Sequence, residues 1–139
     1  MKNQLIRVGT SYIPVSDPGK SATWYQEKLG AVINYEDDQK AILDLANQSF
    51  FLMKTEGNQT ANYLDFEGNE RFSLTFEVDG EASLQALQHT LKDLGVQTGD
   101  IENRGHAGRN FVFSDPDGNL FDVWSELSPA FKERWGGSR

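Results

Sequence analysis

VSDPGKSATWYQEKLGA (Val15–Ala31) and VDGEASLQALQHTLKDLGV (Val78–Val96) follow one local plan. Each begins at a strand-ending valine, passes through a helical stretch, and closes on Leu-Gly and a small apolar residue. In the first, Asp17 suits an N-cap and Pro18 the first helical position, where a missing N–H costs nothing. Ala22, Tyr25 and Leu29 recur at helical spacing, and Gly30 suits the left-handed stop. In the second, Leu84, Leu87, Leu91 and Leu94 form one helical stripe over Glu81 to Leu94, and Gly95 ends it.

The segments around these helices also match in order. Before the first helix, Leu5 to Val15 carries Leu5, Ile6, Val8, Tyr12, Ile13 and Val15 and predicts a strand, with Pro14 near its end. After it come three strand candidates, Ala31 to Tyr35, Ala41 to Leu45 and Ser49 to Met53, divided by turns at Asp37-Asp38 and Ala46-Asn47-Gln48. Strands so closely spaced predict an antiparallel meander. Lys54 to Glu70 is polar, has no sustained period and reads as a linker. The order then repeats. Phe72 to Val78 alternates like a strand, and the second helix follows. Val96 to Ile101 is a further strand candidate, Arg104 to Arg109 a glycine-containing loop, and Asn110 to Phe113 and Leu120 to Trp124 two strands about an Asp115-Pro116-Asp117-Gly118 turn. Pro129 to Trp135 predicts a short terminal helix. A matched order of five elements is an internal repeat and implies an α+β fold of two tandem βαβββ modules. Module one covers about residues 4–56 and module two about 70–126, with a C-terminal extension over 127–139.

Composition narrows the function. The chain has 139 residues, enough for one compact domain, with nine Phe, four Tyr and three Trp to pack sheets or line an apolar pocket. A net charge of −8 and the lack of any Lys/Arg cluster argue against a nucleic-acid partner. No cysteine is present, which removes disulfides, thiolate metal sites and Cys nucleophiles. The start MKNQLIRVG has no apolar core of a signal peptide and no run reaches transmembrane length, so a cytoplasmic protein without a membrane partner is expected.

Two motifs carry a family resemblance. Val15 to Ala31 offers Val-x-Asp, a short linker, Ser, an aromatic pair and Leu-Gly. NFVFSDPDGNLFDVW (Asn110–Trp124) offers an aromatic strand, Asp-Pro-Asp-Gly-Asn, and a strand bearing an acidic residue. Together with the repeat they cover nearly the whole chain, and the chain resembles the vicinal oxygen chelate superfamily. That superfamily includes glyoxalase I, fosfomycin-resistance, bleomycin-resistance and extradiol dioxygenase proteins. The resemblance implies a single glyoxalase/bleomycin-resistance-like domain over 1–139. In it each module curls an antiparallel-rich sheet into half of a partly closed cup, with helices outside and the ligand inside. It also implies a homodimer.

The resemblance implies site positions as well. The family's first metal ligand, usually His or Gln, lies seven residues before the Asp of Val-x-Asp, where this chain has Thr10. The second, usually His, falls at Ser73, with Thr75 on the same face. The third, usually Glu, lies four residues after the Gly of Asp-Pro-Asp-Gly and is Asp122; its counterpart in module one is about Phe51. Two hydroxyls and one carboxylate are poor ligands for Zn²⁺, Ni²⁺ or Fe²⁺. No metal or other cofactor is therefore expected, a hard ion such as Mg²⁺ held partly by ligand oxygens being the lesser alternative. Strand parity puts Thr10, Tyr12, Phe51, Met53, Ser73, Thr75, Asp122 and Trp124 on the ligand side. It puts Ile13, Val15, Leu74, Phe76, Val78, Phe121 and Val123 under the helices. Such a lining suits a small, largely flat organic ligand, a cationic one included.

Asp122 and His106 are the candidate catalytic residues. His106 lies in a loop able to close over a ligand, with Arg104 or Arg109 as anion contacts, whereas His89 reads as a helix-surface residue. Asp115, Asp117 and Gly118 read as a structural turn. Three functions follow: a metal-free protein of the bleomycin-resistance type that binds a small molecule; a lyase, isomerase or dioxygenase with an atypical ligand set or acid/base residues; or an interaction module that kept the fold and lost the pocket.

Overall fold

The computed structural model describes residues 4–136, and the chain divides into two compact units between Thr60 and Ala61. The architecture is α+β. The first unit runs β1 (Thr10–Val15), α1 (Pro18–Leu29), β2 (Val32–Glu36), β3 (Lys40–Leu45) and β4 (Gln48–Lys54). Its sheet has the order β1-β4-β3-β2, with β1 parallel to β4 and the other pairs antiparallel, so the predicted meander is present. Helix α1 starts and stops where the sequence says. The Asp17 carboxylate accepts the Lys20 N–H at 3.2 Å, Pro18 opens the helix, and Gly30 closes it at φ +77°. The Gly30 and Ala31 N–H groups return to the Gln26 and Tyr25 carbonyls, which satisfies the free end of the helix. The Asp37 carboxylate ties the β2–β3 turn by accepting from Gln39 N, Lys40 N and the Tyr35 hydroxyl. The Tyr35 bond is the first cause of a pKa below the usual carboxylate range at Asp37, and Tyr35 is correspondingly raised.

The second unit runs β5 (Tyr63–Leu64), β6 (Glu70–Arg71), β7 (Thr75–Glu77), α2 (Glu81–Asp93), β8 (Asn110–Ser114) and β9 (Leu120–Trp124). It ends in a short helical segment made of α3 (Pro129–Phe131) and a π-turn over Lys132–Gly136. Its main sheet has the order β7-β9-β8, again with a parallel first pair and an antiparallel second. Isolated bridges Thr98↔Phe113 and Glu102↔Asn110 add a fourth position beside β8. The order of the first unit is thereby repeated.

Several expected elements differ in extent. The first strand spans Thr10–Val15 only: Leu5, Ile6 and Val8 are exposed, so no buried face fixes a register there. The strand expected over Phe72 to Val78 is confined to Thr75–Glu77. Val96 to Ile101 is no regular strand, because four steps from Thr98 to Glu102 oppose three from Phe113 to Asn110, a bulge that breaks the ladder. The polar linker is tied down rather than loose. It holds the β5–β6 hairpin, and Asn62 bonds to the Gly118 carbonyl and the Leu120 N–H on the far side of the Asp-Pro-Asp-Gly turn. That turn is structural as expected: the Asp115 carboxylate accepts from Asp117 N, Asn119 N and Asn119 Nδ2. Residues 137–139 of the predicted extension lie outside the described residues.

Each unit has its own core. In the first, Ile13, Val15, Ala41, Leu43, Phe50 and Leu52 share the sheet face that meets Ala22 and Tyr25 of α1. In the second, Phe111, Phe113, Phe121 and Val123 are buried, and the Phe76, Phe113 and Phe121 rings pack at centroid distances of 5.5–6.1 Å. Leu74, Phe76 and Val78 are half-buried. Of the leucine stripe, Leu84 and Leu91 are fully buried while Leu94 is exposed at the helix end. Phe121→Ala should cost about 3–5 kcal/mol in urea unfolding, because it opens a cavity in this ring cluster. Phe66→Ala, at a side chain 97% exposed, should stay within about 0.5 kcal/mol of wild type.

Candidate functional site

Strand parity divides each sheet into a packed face and a second face. In the first unit the second face carries Thr10, Tyr12, Phe51 and Met53, as expected. The registers align Tyr12 with Phe51, Phe51 with Ile42, and Ile42 with Tyr35, giving one apolar row across all four strands. The Tyr12 and Phe51 rings meet at 4.9 Å with their planes tilted by 43°. Tyr12 stays 63% exposed, and Phe51 and Met53 are half-buried.

The corresponding row in the second unit is Thr75, Asp122 and Val112. Asp122 thus takes the place that Phe51 has in the first unit. Its environment is ionic and closed. Oδ2 accepts hydrogen bonds from Thr75 Oγ1 at 3.1 Å and from Asn110 Nδ2 at 2.9 Å. Oδ1 lies 3.1 Å from Arg104 Nη1, a charge contact whose angle does not make a hydrogen bond, so Oδ1 and the buried Asn110 Oδ1 both keep an unused lone pair. Arg104 also donates from Nε to Glu102 at 2.8 Å, and its guanidinium carbon sits 5.5 Å from the Phe72 ring centre. Asp122 is 2% exposed; losing one partner of such a buried pair costs about 3–5 kcal/mol, although the intact pair adds little net stability.

The other expected residues fall as follows. Thr75, rather than Ser73, touches Asp122; the Ser73 hydroxyl turns to the Ala61 carbonyl. Trp124 is half-buried and donates from Nε1 to the Ala107 carbonyl at 2.9 Å. His106, which is exposed, stands edge-on to the Trp124 ring at 5.9 Å, with Nδ1 2.8 Å from the Ala107 oxygen. His106 therefore sits over Trp124, and no contact links it to Asp122. Arg109 contacts its neighbour Gly108 and approaches Glu81. His89 pairs with Asp93 on the surface of α2, as a helix-surface residue should. Sequence reasoning missed Phe72, Glu102 and Asn110. Asn110 had a readable signal, since it opens the aromatic strand beside Asp122; Glu102 had none.

These residues do not fit a divalent ion. The only acid at an expected ligand position is engaged on both oxygens, one of them by a fixed cation. Among the described residues no group of three or more His, Cys, Asp or Glu is placed to hold a metal. The loop over Trp124 is tightly built. Gly108 has φ +77°, and a Cβ there would lie 2.6 Å from Ser125 Oγ and 2.9 Å from Trp124 Nε1. Gly108→Ala should destabilise by at least about 1–2 kcal/mol and shift Trp fluorescence as the Trp124–Ala107 bond loosens, read by urea unfolding and emission spectra.

Residues 5–123 match the family model described as the Glyoxalase/Bleomycin resistance protein/Dioxygenase superfamily. No curated protein matches the sequence significantly. Among solved structures, the fosfomycin resistance protein FosX from Listeria monocytogenes is similar at a TM-score of 0.72 and 18% identity, covering 89% of this chain and 96% of that one. The same protein complexed with Mn(II) and sulfate gives 0.68 and 18%, covering 97% and 99%. A lactoylglutathione lyase from Agrobacterium tumefaciens gives 0.69 and 13%, covering 88% and 95%. Identities this low speak for the fold alone. With the family model spanning most of its length, the chain belongs to the glyoxalase/bleomycin resistance protein/dioxygenase superfamily.

Proposed function

We propose that this protein binds a small organic molecule on the open faces of its sheets, without a catalytic metal. The observation that carries the reading is the exposed Tyr12–Phe51–Ile42–Tyr35 row, with Met53 beside it. Aromatic and thioether side chains left uncovered opposite a well-packed core favour flat apolar ligands, which recover the hydrophobic area still in water. In the second unit the half-buried Trp124 offers a further aromatic face. The surplus of negative charge favours neutral or cationic ligands over anions.

The enzyme reading draws less support from the geometry. A carboxylate acting as base needs a free oxygen near the reacting proton, and Asp122 spends its oxygens on Thr75, Asn110 and Arg104. His106, already beside the Ala107 carbonyl, is the remaining acid/base candidate.

A thermal-shift and fluorescence screen of small aromatic compounds, bleomycin included, tests the reading. At least one class should bind, and Tyr12→Ala and Phe51→Ala should each weaken that binding about tenfold or more, about 1.4 kcal/mol. Hits indifferent to both substitutions, or no hits at all, would rule the reading out. The exposed Leu5, Ile6 and Val8 in the first unit, and Leu64 in the second, support the homodimer that the resemblance implies. Light scattering should give twice the 15.6 kDa chain mass; a monomer at micromolar concentration would count against it.

A further inference from the structure

We propose that Arg104 is the resident cation of the second unit, filling the place beside Asp122 that a divalent ion would need and closing the site to metal. The inference rests on the metal-free reading above and assigns its cause to one side chain. The guanidinium meets two carboxylates, Glu102 at 2.8 Å and Asp122 at 3.1 Å. The other Asp122 oxygen is held by Thr75 Oγ1 and Asn110 Nδ2, so Oδ1 alone faces the guanidinium. Carboxylate oxygens are the hard ligands that Mg²⁺, Ca²⁺ or Mn²⁺ would seek, and the two beside Arg104 face its guanidinium instead. Here the cation is attached to the chain.

Two features keep it there. The planar guanidinium presents several N–H donors in one fork, so one side chain faces both carboxylates at once. Its carbon also stacks 5.5 Å from the Phe72 ring, whose centre is 5.3 Å from the guanidinium carbon of Arg71. An incoming divalent ion would meet two positive groups and would have to displace the Arg104 ion pair before reaching either carboxylate.

Mn²⁺ alone is the probe. In wild type, millimolar Mn²⁺ should leave the Asn110 side-chain amide signals sharp in a ¹⁵N correlation spectrum, since no paramagnetic ion settles nearby. Arg104→Ala removes the attached cation and frees both carboxylates; it should bind Mn²⁺ at least about tenfold more tightly than wild type by electron paramagnetic resonance. Arg104→Lys keeps a positive charge and should stay closed. Selective broadening of Asn110 in wild type, or an Arg104→Ala isotherm no tighter than wild type, overturns the inference. The wild-type spectrum decides alone where Arg104→Ala fails to fold. Neither readout uses an organic ligand, so Mn²⁺ at Asp122 would overturn this inference and the metal-free clause but not ligand binding at Tyr12 and Phe51, and a failed ligand screen would leave this inference standing.

Discussion

A carboxylate withdrawn from water needs a counter-charge, and at Asp122 that counter-charge is an arginine. The rest of the second unit is arranged around this requirement. Strand pairing sets Thr75 and Val112 at its sides, Asn110 reaches across from β8, and the segment beyond the bulge brings Arg104, held by Glu102, to its second oxygen. A buried pair of this kind contributes little net stability, yet each partner is expensive to lose. Its effect is therefore on arrangement: the Arg104 side chain is held at the sheet, with Phe72 under it.

The same backbone plan gives the first unit a different surface. Where β9 carries Asp122, β4 carries Phe51, and the ring of Tyr12 leans on it in place of a hydrogen-bonding threonine. One scaffold repeated within one chain thus presents an apolar row in one unit and a closed ionic cluster in the other. Fold membership says little about which chemistry results, because side chains projecting from equivalent strand positions decide it. FosX from Listeria has been solved with Mn(II); this chain shares its fold at 18% identity and has hydroxyls and an arginine-bound aspartate at the expected ligand positions.

The sequence made the fold legible through local punctuation. Asp17-Pro18 and Gly30 bracket α1, and alternation on β1, β4 and β9 assigned Ile13, Val15, Phe121 and Val123 to the core and Tyr12 and Phe51 to the open face. Local signals were weaker where long-range pairing decides. The bulge opposite β8 breaks the strand that the residues Val96 to Ile101 predict, and Asn62 pins a polar stretch that has no periodicity of its own. The candidate site was half legible. Asp122 follows from the family resemblance and Thr75 from its parity with Ser73, whereas Arg104 read as an anion contact in a loop. Its pairing with Asp122 joins positions 18 residues apart across a bulge, and no spacing rule encodes that contact.

What occupies the space beside Asp122 decides the chemistry open to the second unit. Crystals soaked in Mn²⁺ and measured at the manganese absorption edge would show it directly. The structure predicts no anomalous peak within about 3 Å of the Asp122 carboxylate, with the Arg104 guanidinium still in contact with both acids. A peak bonded to Asp122, with Arg104 swung away, would contradict it.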